Sequence, residues 1–233
     1  MRHRTPDPPA ETGMHEGLAY ALFAPAGPPT GAVIIFHGAG SAKESHFDYA
    51  RAARATGLLA LSFDQRGHGA SEGALDGRIV DDAAAIASLL PPGLPLALRG
   101  SSLGGYVALL AAEPMGAAAV VAICPAKAEL LLRGLRREEY DCRVDRTGLE
   151  RFLQDHDLTA AVARLEMPLM IQHAEGDESV PIADSRELHE AAAGRRKRLI
   201  AIGGGDHRSV QHDAELQGES LRFIRRAIAA RHR

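Results

Sequence analysis

Short apolar runs alternating with longer amphipathic stretches constrain the fold of this chain more than any other feature of it. "AVIIFH" (32–37) and "LLALSF" (58–63) are unbroken runs of strand length, the pattern of strands covered on both faces. "LPLALR" (94–99), "GAAAVVAIC" (116–124), "MPLMIQHA" (167–174) and "RLIAIG" (198–203) repeat it, and "GLAYALFAP" (17–25) alternates like an early strand. Helices are expected over about 44–56, stopped by Gly57, and over about 77–90, ended by Pro91 and Pro92. Others are expected up to about Glu113, around 182–193 and over about 210–230. Strands alternating with helices in this way build parallel βαβ units, hence an α/β fold with helices on both faces of a sheet.

At 233 residues the chain fits one domain with a substantial core, assigned to 17–233. Residues 1–16, opening "MRHRTPDPPAETG", read as a flexible, proline-rich lead-in without the apolar core of a signal peptide. The segment 125–166 has no convincing strand; charges of both signs mix with leucines at helical spacing, so two or three short helices are expected. An insertion after a strand's C-terminal end lies at the edge where open α/β sheets bind ligands. The net charge of −3 gives no electrostatic reason to expect nucleic acid or an anionic membrane as partner. The basic cluster 195–198 reads as a helix end and the exposed start of a strand. Cys124 and Cys142 are too few for a disulfide scaffold and read as free thiols. No apolar run reaches the roughly 18 to 20 residues of a membrane span, and the expected location is the cytoplasm.

The strand at 94–99 runs into "GSSLGG" (100–105) and then into an alanine- and leucine-rich helix. This is G-x-S-x-G centred on Ser102, in the strand–turn–helix setting that a nucleophile elbow requires. So sharp a turn pushes the Ser102 hydroxyl out of the backbone envelope, and the helix N-terminus aims amides at developing negative charge. Ser101 is one residue out of phase and lacks the symmetric glycines. A serine hydroxyl needs a base, and that base an orienting acid; after such an elbow the acid precedes the histidine in the chain. "HAEGDESVP" (173–181) offers Asp177 in a loop after a strand, with Glu175 and Glu178 as alternative acids. "GGGDHRSV" (203–210) offers His207 in a glycine-rich loop, whereas His212 falls inside the expected last helix. The reading is Ser102 as nucleophile, His207 as base and Asp177 as orienting acid. The backbone N–H groups of Leu103 and of Ala39, in "FHGAGSAKES" (36–45), are the expected oxyanion donors, and His37 is expected to tie loops together. No histidine spacing matches H-E-x-x-H or another ligand pattern, so no metal is expected.

With "FDQRGHGASEG" (63–73), which carries Asp-x-Arg-Gly-x-Gly-x-Ser after a strand, these motifs resemble the serine α/β-hydrolase family over about 17–230. "GSSLGG", "EGDESVP" and "GGGDH" are most similar to its small esterase and acyl-peptidase branch, which includes the cinnamoyl (feruloyl) esterases. The resemblance implies the α/β-hydrolase fold with an eight-stranded, mostly parallel sheet, no cofactor, and a short helical cap formed by 125–166. It also implies architectural roles for Arg66, Gly67 and Ser71, a small-molecule acyl substrate, and a monomer or homodimer. Two departures stand out: Ser101 occupies a position where many members have His or Asp, and the cap is shorter than in the cinnamoyl esterases. With 4% aromatic residues and no Trp, a large stacking platform for a phenolic acyl group is not evident. The expected activity is hydrolysis of a small carboxylic ester through an acyl-enzyme. A peptidase or thioesterase on the same triad, and a ligand-binding member without catalysis, are the alternatives.

Overall fold

The computed structural model describes residues 7–231. Each unbroken apolar run forms a strand: β3 (Gly31–Phe36), β4 (Leu58–Phe63), β5 (Leu96–Ser101), β6 (Ala119–Ile123) and β7 (Leu169–Ala174). Side chains alternate between two apolar layers, as the two-residue period of a strand demands. Ile34 and Phe36 enter one layer, Val33 and Ile35 the other. Helices α2 (Ile79–Ala87), α3 (Leu103–Ala112) and α7 (Ile182–Ala191) pack on the first face; α1 (Phe47–Ala55) and α9 (Ala214–Arg231) pack on the second.

With β1 (Glu11–His15), β2 (Leu18–Phe23) and β8 (Lys197–Ile202) the sheet has eight strands in the order β1-β2-β4-β3-β5-β6-β7-β8. β3 to β8 run parallel, and β1 and β2 are antiparallel additions at one edge. The eight-stranded, mostly parallel sheet therefore stands as expected.

The reading of 1–16 as a flexible lead-in is corrected over its last part: Glu11–His15 is a paired strand, while 1–6 lie outside the described residues. Its cause is the two-residue turn Glu16-Gly17, with φ of 49° and 77°. Positive φ at both positions is the turn geometry that matches strand twist and closes a tight hairpin.

The expected last helix also divides. α8 (Ser209–His212) ends at Asp213, whose carboxylate accepts the Glu215 and Leu216 amides at 2.9 Å each and so caps α9. Residues 125–166 fold as α4 (Ala128–Arg136), α5 (Arg146–Asp155) and α6 (Leu158–Val162). The segment is stitched to the turn after β4: the Leu75 amide donates to the Arg143 carbonyl at 2.7 Å, and the Arg143 amide to that of Gly67 at 3.0 Å. Among the described residues, no helix is long and apolar enough to cross a membrane.

Candidate active site

β3 pairs with β4 on one side and β5 on the other, so the chain reverses its direction of travel across the sheet there. In open α/β sheets ligands bind outside the carboxyl ends of the strands at such a switch point. At that end β3 runs out into the loop His37-Gly38-Ala39 and β5 into Ser102.

Ser102 has φ 53° and ψ −117°, a conformation that costs a non-glycine residue about 1–3 kcal/mol. The corner is held from both sides: its amide donates to the Ile123 carbonyl at 2.9 Å, and its own carbonyl accepts the Tyr106 and Ala126 amides at 3.1 and 3.3 Å. Gly104 makes the corner possible. A Cβ there would lie 2.4 Å from the Phe36 carbonyl oxygen and 2.5 Å from that of His37, so only glycine lets α3 start flush against β3. Leu103 is the first residue of α3, where no helical carbonyl can accept its N–H. Among the described hydrogen bonds, neither that amide nor the Ala39 amide has a protein acceptor.

His37 braces the loop carrying Ala39. Its Nε2 accepts the Gln65 amide at 2.9 Å, so the proton sits on Nδ1, which donates to the Gly38 carbonyl at 2.7 Å. Burial above all, and then the neighbouring His68, pushes its pKa down to about 4.

Asp177 and His207 come from the loops after β7 and β8. Those loops nearly touch: a Cβ on Gly176 would sit 2.4 Å from the Gly205 carbonyl oxygen, and the Gly176 amide donates to the Gly204 carbonyl at 3.2 Å. The His207 Nδ1–H donates to Asp177 Oδ2 at 2.7 Å, which leaves Nε2 as the free nitrogen. Asp177 Oδ1 accepts the Ser179 and Val180 amides at 2.9 Å each. Burial alone would raise the Asp177 pKa; the His173 and His207 hydrogen bonds and the Val180 amide outweigh it and hold the carboxyl well below the usual range. Of the alternatives, Glu175 is exposed and pairs with Arg186, and His212 pairs with Asp48. Ser102 and His207 line the same two recesses, although no hydrogen bond links the Ser102 hydroxyl to the imidazole. One recess, of about 310 Å³, runs under α4 past Ala126, Leu130, Leu131 and Val180. The other, of about 210 Å³, is lined by Ser41, Ser45, Ser101, Arg208 and Gln211. A larger apolar groove, of about 620 Å³ between Pro91–Pro95 and α9, includes none of these residues.

Among solved structures the chain resembles an alpha/beta hydrolase, GrgF, from Penicillium sp. sh18, with a TM-score of 0.77 at 20% identity over 94% of this chain and 98% of that one. The chain has the α/β-hydrolase fold. Est1E from Butyrivibrio proteoclasticus, in a structure with ferulic acid bound, matches with a TM-score of 0.77 at 21% identity, over 94% of this chain and all of that one. Residues 27–131 match the family model described as serine aminopeptidase, S33. Human monoglyceride lipase is 34% identical over 113 residues, 43% of this chain. That match spans 37% of the human protein's length.

The turn after β4, which carries Asp-x-Arg-Gly-x-Gly-x-Ser, is held by its own polar contacts. Arg66 pairs with Asp82 and Asp76 at the base of α2, and Ser71 donates to the Asp64 carbonyl at 2.5 Å while accepting the Ala19 amide at 2.9 Å. Sequence reasoning missed the groups behind Asp177. His173 is fully buried on β7, its Nε2 3.0 Å from the Val180 carbonyl and 3.4 Å from Asp177 Oδ2, its Nδ1 2.6 Å from the Ser185 hydroxyl. Cys124, His173 and Asp177 bring a thiol, an imidazole and a carboxylate within 4.8 Å of one another, a donor set that no sequence spacing announced. Burial raises the Cys124 pKa, keeping the thiol protonated, and the Asp177 oxygens are already engaged, so the trio reads as packing behind the carboxylate. The available signal was a histidine interrupting an apolar strand run, "MIQHA".

Proposed function

We propose that this chain is a serine hydrolase that cleaves small carboxylic esters through an acyl-enzyme on Ser102. The observation that carries it is the strained Ser102 corner, at the sheet's switch point, sharing a cleft with an imidazole already oriented by a buried carboxylate. Strain persists where surrounding structure over-determines it, and such positions cluster at active sites. The similarity to monoglyceride lipase over 113 residues favours esters as the substrate class.

The Ser102 Oγ attacks the ester carbonyl while His207 Nε2 takes its proton, and Asp177 holds the ring tautomer and stabilises the imidazolium. The Ala39 and Leu103 amides donate to the oxyanion of the tetrahedral intermediate. Its collapse expels the alcohol, protonated by His207, and water then attacks the acyl-serine by the same route. A peptidase reading rests on the family model's description, serine aminopeptidase, over 27–131.

A fluorophosphonate probe should label the wild type at Ser102, and Ser102→Ala should abolish labelling and lower kcat on p-nitrophenyl acetate by about 10⁴-fold or more. Wild type that neither labels nor turns over short-chain esters would overturn the reading. A panel of matched esters, thioesters and aminoacyl amides separates esterase from peptidase.

A further inference from the structure

Behind the recess on the Ser41 side of Ser102, packed against its wall residues Gln211 and His212, lies a buried polar cluster whose hydrogen bonding is incomplete. Arg99 precedes Ser101 by two residues on β5, so both side chains leave the same face of the sheet. Its guanidinium is 1% exposed and, among the described residues, forms no ion pair with a carboxylate. It lies over the Tyr49 ring at 3.9 Å, donates from Nη1 to His46 Nδ1 at 3.3 Å, and from Nη2 to the Gln211 carbonyl at 3.0 Å. The Arg99 Nε–H has no partner.

A guanidinium has hydrogens to give and no lone pair, so His46 Nδ1 must be the acceptor and the proton of that neutral ring sits on Nε2. Burial, with Arg99 second, keeps the ring neutral by lowering its pKa. His46 Nε2–H, fully buried, also lacks a partner, and so does the hydroxyl of Ser101, a residue 5% exposed that lines the recess. Three buried polar groups thus share a surplus of donors and a shortage of acceptors, beside a fixed positive charge. Of the three, only the Ser101 hydroxyl lines the recess and is within reach of a guest, and an unpartnered buried polar group is costly enough to favour one.

Neighbouring charges do not fill the gap. Asp48, whose charge acts on Arg99 without a hydrogen bond to it, has its oxygens engaged by His212 at 3.0 Å, Gln217 at 2.8 Å and the Tyr49 amide at 2.7 Å. Lys43 is engaged with Asp64 and Glu44. Arg208, on the recess wall, adds a second cation with no carboxylate partner among the described residues.

Building on the serine-hydrolase reading, we propose that this recess receives a carboxylate, so that the substrate is an ester with an anionic arm beside Ser101 and Arg208. The carboxylate supplies an acceptor to the Ser101 hydroxyl and a counter-charge to Arg208, which is suited to bidentate pairing, with the buried positive charge of Arg99 behind them.

Three small esters test this: monomethyl glutarate, with the carboxylate on the acyl arm; 3-acetoxypropionate, with it on the alcohol arm; and neutral dimethyl glutarate. At least one anion should exceed the neutral ester by about tenfold both in kcat/KM on wild type and in affinity for Ser102→Ala, read by NMR titration. Arg208→Gln should shrink that ratio to within about twofold. Neutral ester turned over as well as both anions would overturn the anion subsite while leaving the hydrolase standing, the recess then holding ordinary water. Selective anion binding to Ser102→Ala with no ester hydrolysed by wild type would uphold the subsite and sink the hydrolase.

Discussion

Acidification is expected to destabilise this protein through His37, the ring that braces the loop beside Ser102. Protonation would destroy the bond in which Nε2 accepts the Gln65 amide, and burial makes the charged ring costly in any case. The folded-state pKa is about 4 against an ordinary value of 6.5, with burial the first cause and His68 the second. Across that window the unfolded chain carries a proton that the folded chain excludes. Stability is therefore complete above the unfolded value and is lost as pH falls through the folded one. The slope is about 1.4 kcal/mol per pH unit, and the whole contribution is on the order of 3 kcal/mol. Against a typical total of about 5–15 kcal/mol that is a large share. Burial lowers the pKa values of His46 and His68 too, so their contributions have the same sign. Urea unfolding followed by circular dichroism between about pH 7.5 and about pH 4.5 measures the slope. His37→Gln keeps an acceptor for the Gln65 amide and cannot titrate. It should be less stable than wild type near neutrality, with the gap closing as the pH falls. A wild type equally stable at both ends, or a variant with the same slope, would refute the reasoning.

Two further substitutions probe the corner. Ser102→Gly removes the strain of a positive φ, less the extra freedom glycine has when unfolded, and should raise the melting temperature by the equivalent of about 1 kcal/mol while eliminating hydrolysis; a melt lowered by the equivalent of about 0.5–1 kcal/mol, glycine's entropic cost alone, would show that the corner stores no strain. Gly104→Ala forces a methyl onto two backbone carbonyls and should cost more than about 3 kcal/mol in the same melt, whereas Gly27→Ala, with no neighbour within 4 Å, should stay within about 0.5 kcal/mol. Equal melts for those two variants would contradict the packing described at the end of β3.

Strands β3 to β7 were legible because burial leaves unbroken apolar runs, β8 because the short run 199–202 follows its charged start, and the Ser102 corner because glycines bracket it. Asp177 and His207 could be read because each follows a strand within a few residues, in a loop whose glycines mark a tight turn. β1 was not legible: Glu11, Thr12, Gly13, Met14 and His15 make a polar edge strand, visible only through the hairpin that pairs it with β2. The break at Asp213 was hidden because a carboxylate cap inside a helical pattern resembles any surface acid. The polar floor could not be deduced, since Arg99 meets His46 and Gln211 across separations of 53 and 112 residues. Arginine in an apolar strand announces that partners exist and leaves them unnamed.

An open sheet ends in two rims of unsatisfied main-chain groups, each a template on which a foreign strand can grow. Here one rim is β1, only five residues long and mostly polar, and the other is β8, which begins with Lys197 and Arg198. Arg198 is tied to Glu219 at 3.1 Å, and Met14, at 50% exposure, is the one large apolar side chain left in the open among the described residues. A strand arriving at either border meets brevity or charge instead of a flat greasy ladder. Crowded solutions of this protein are thereby guarded against end-to-end sheet growth by its least conspicuous residues.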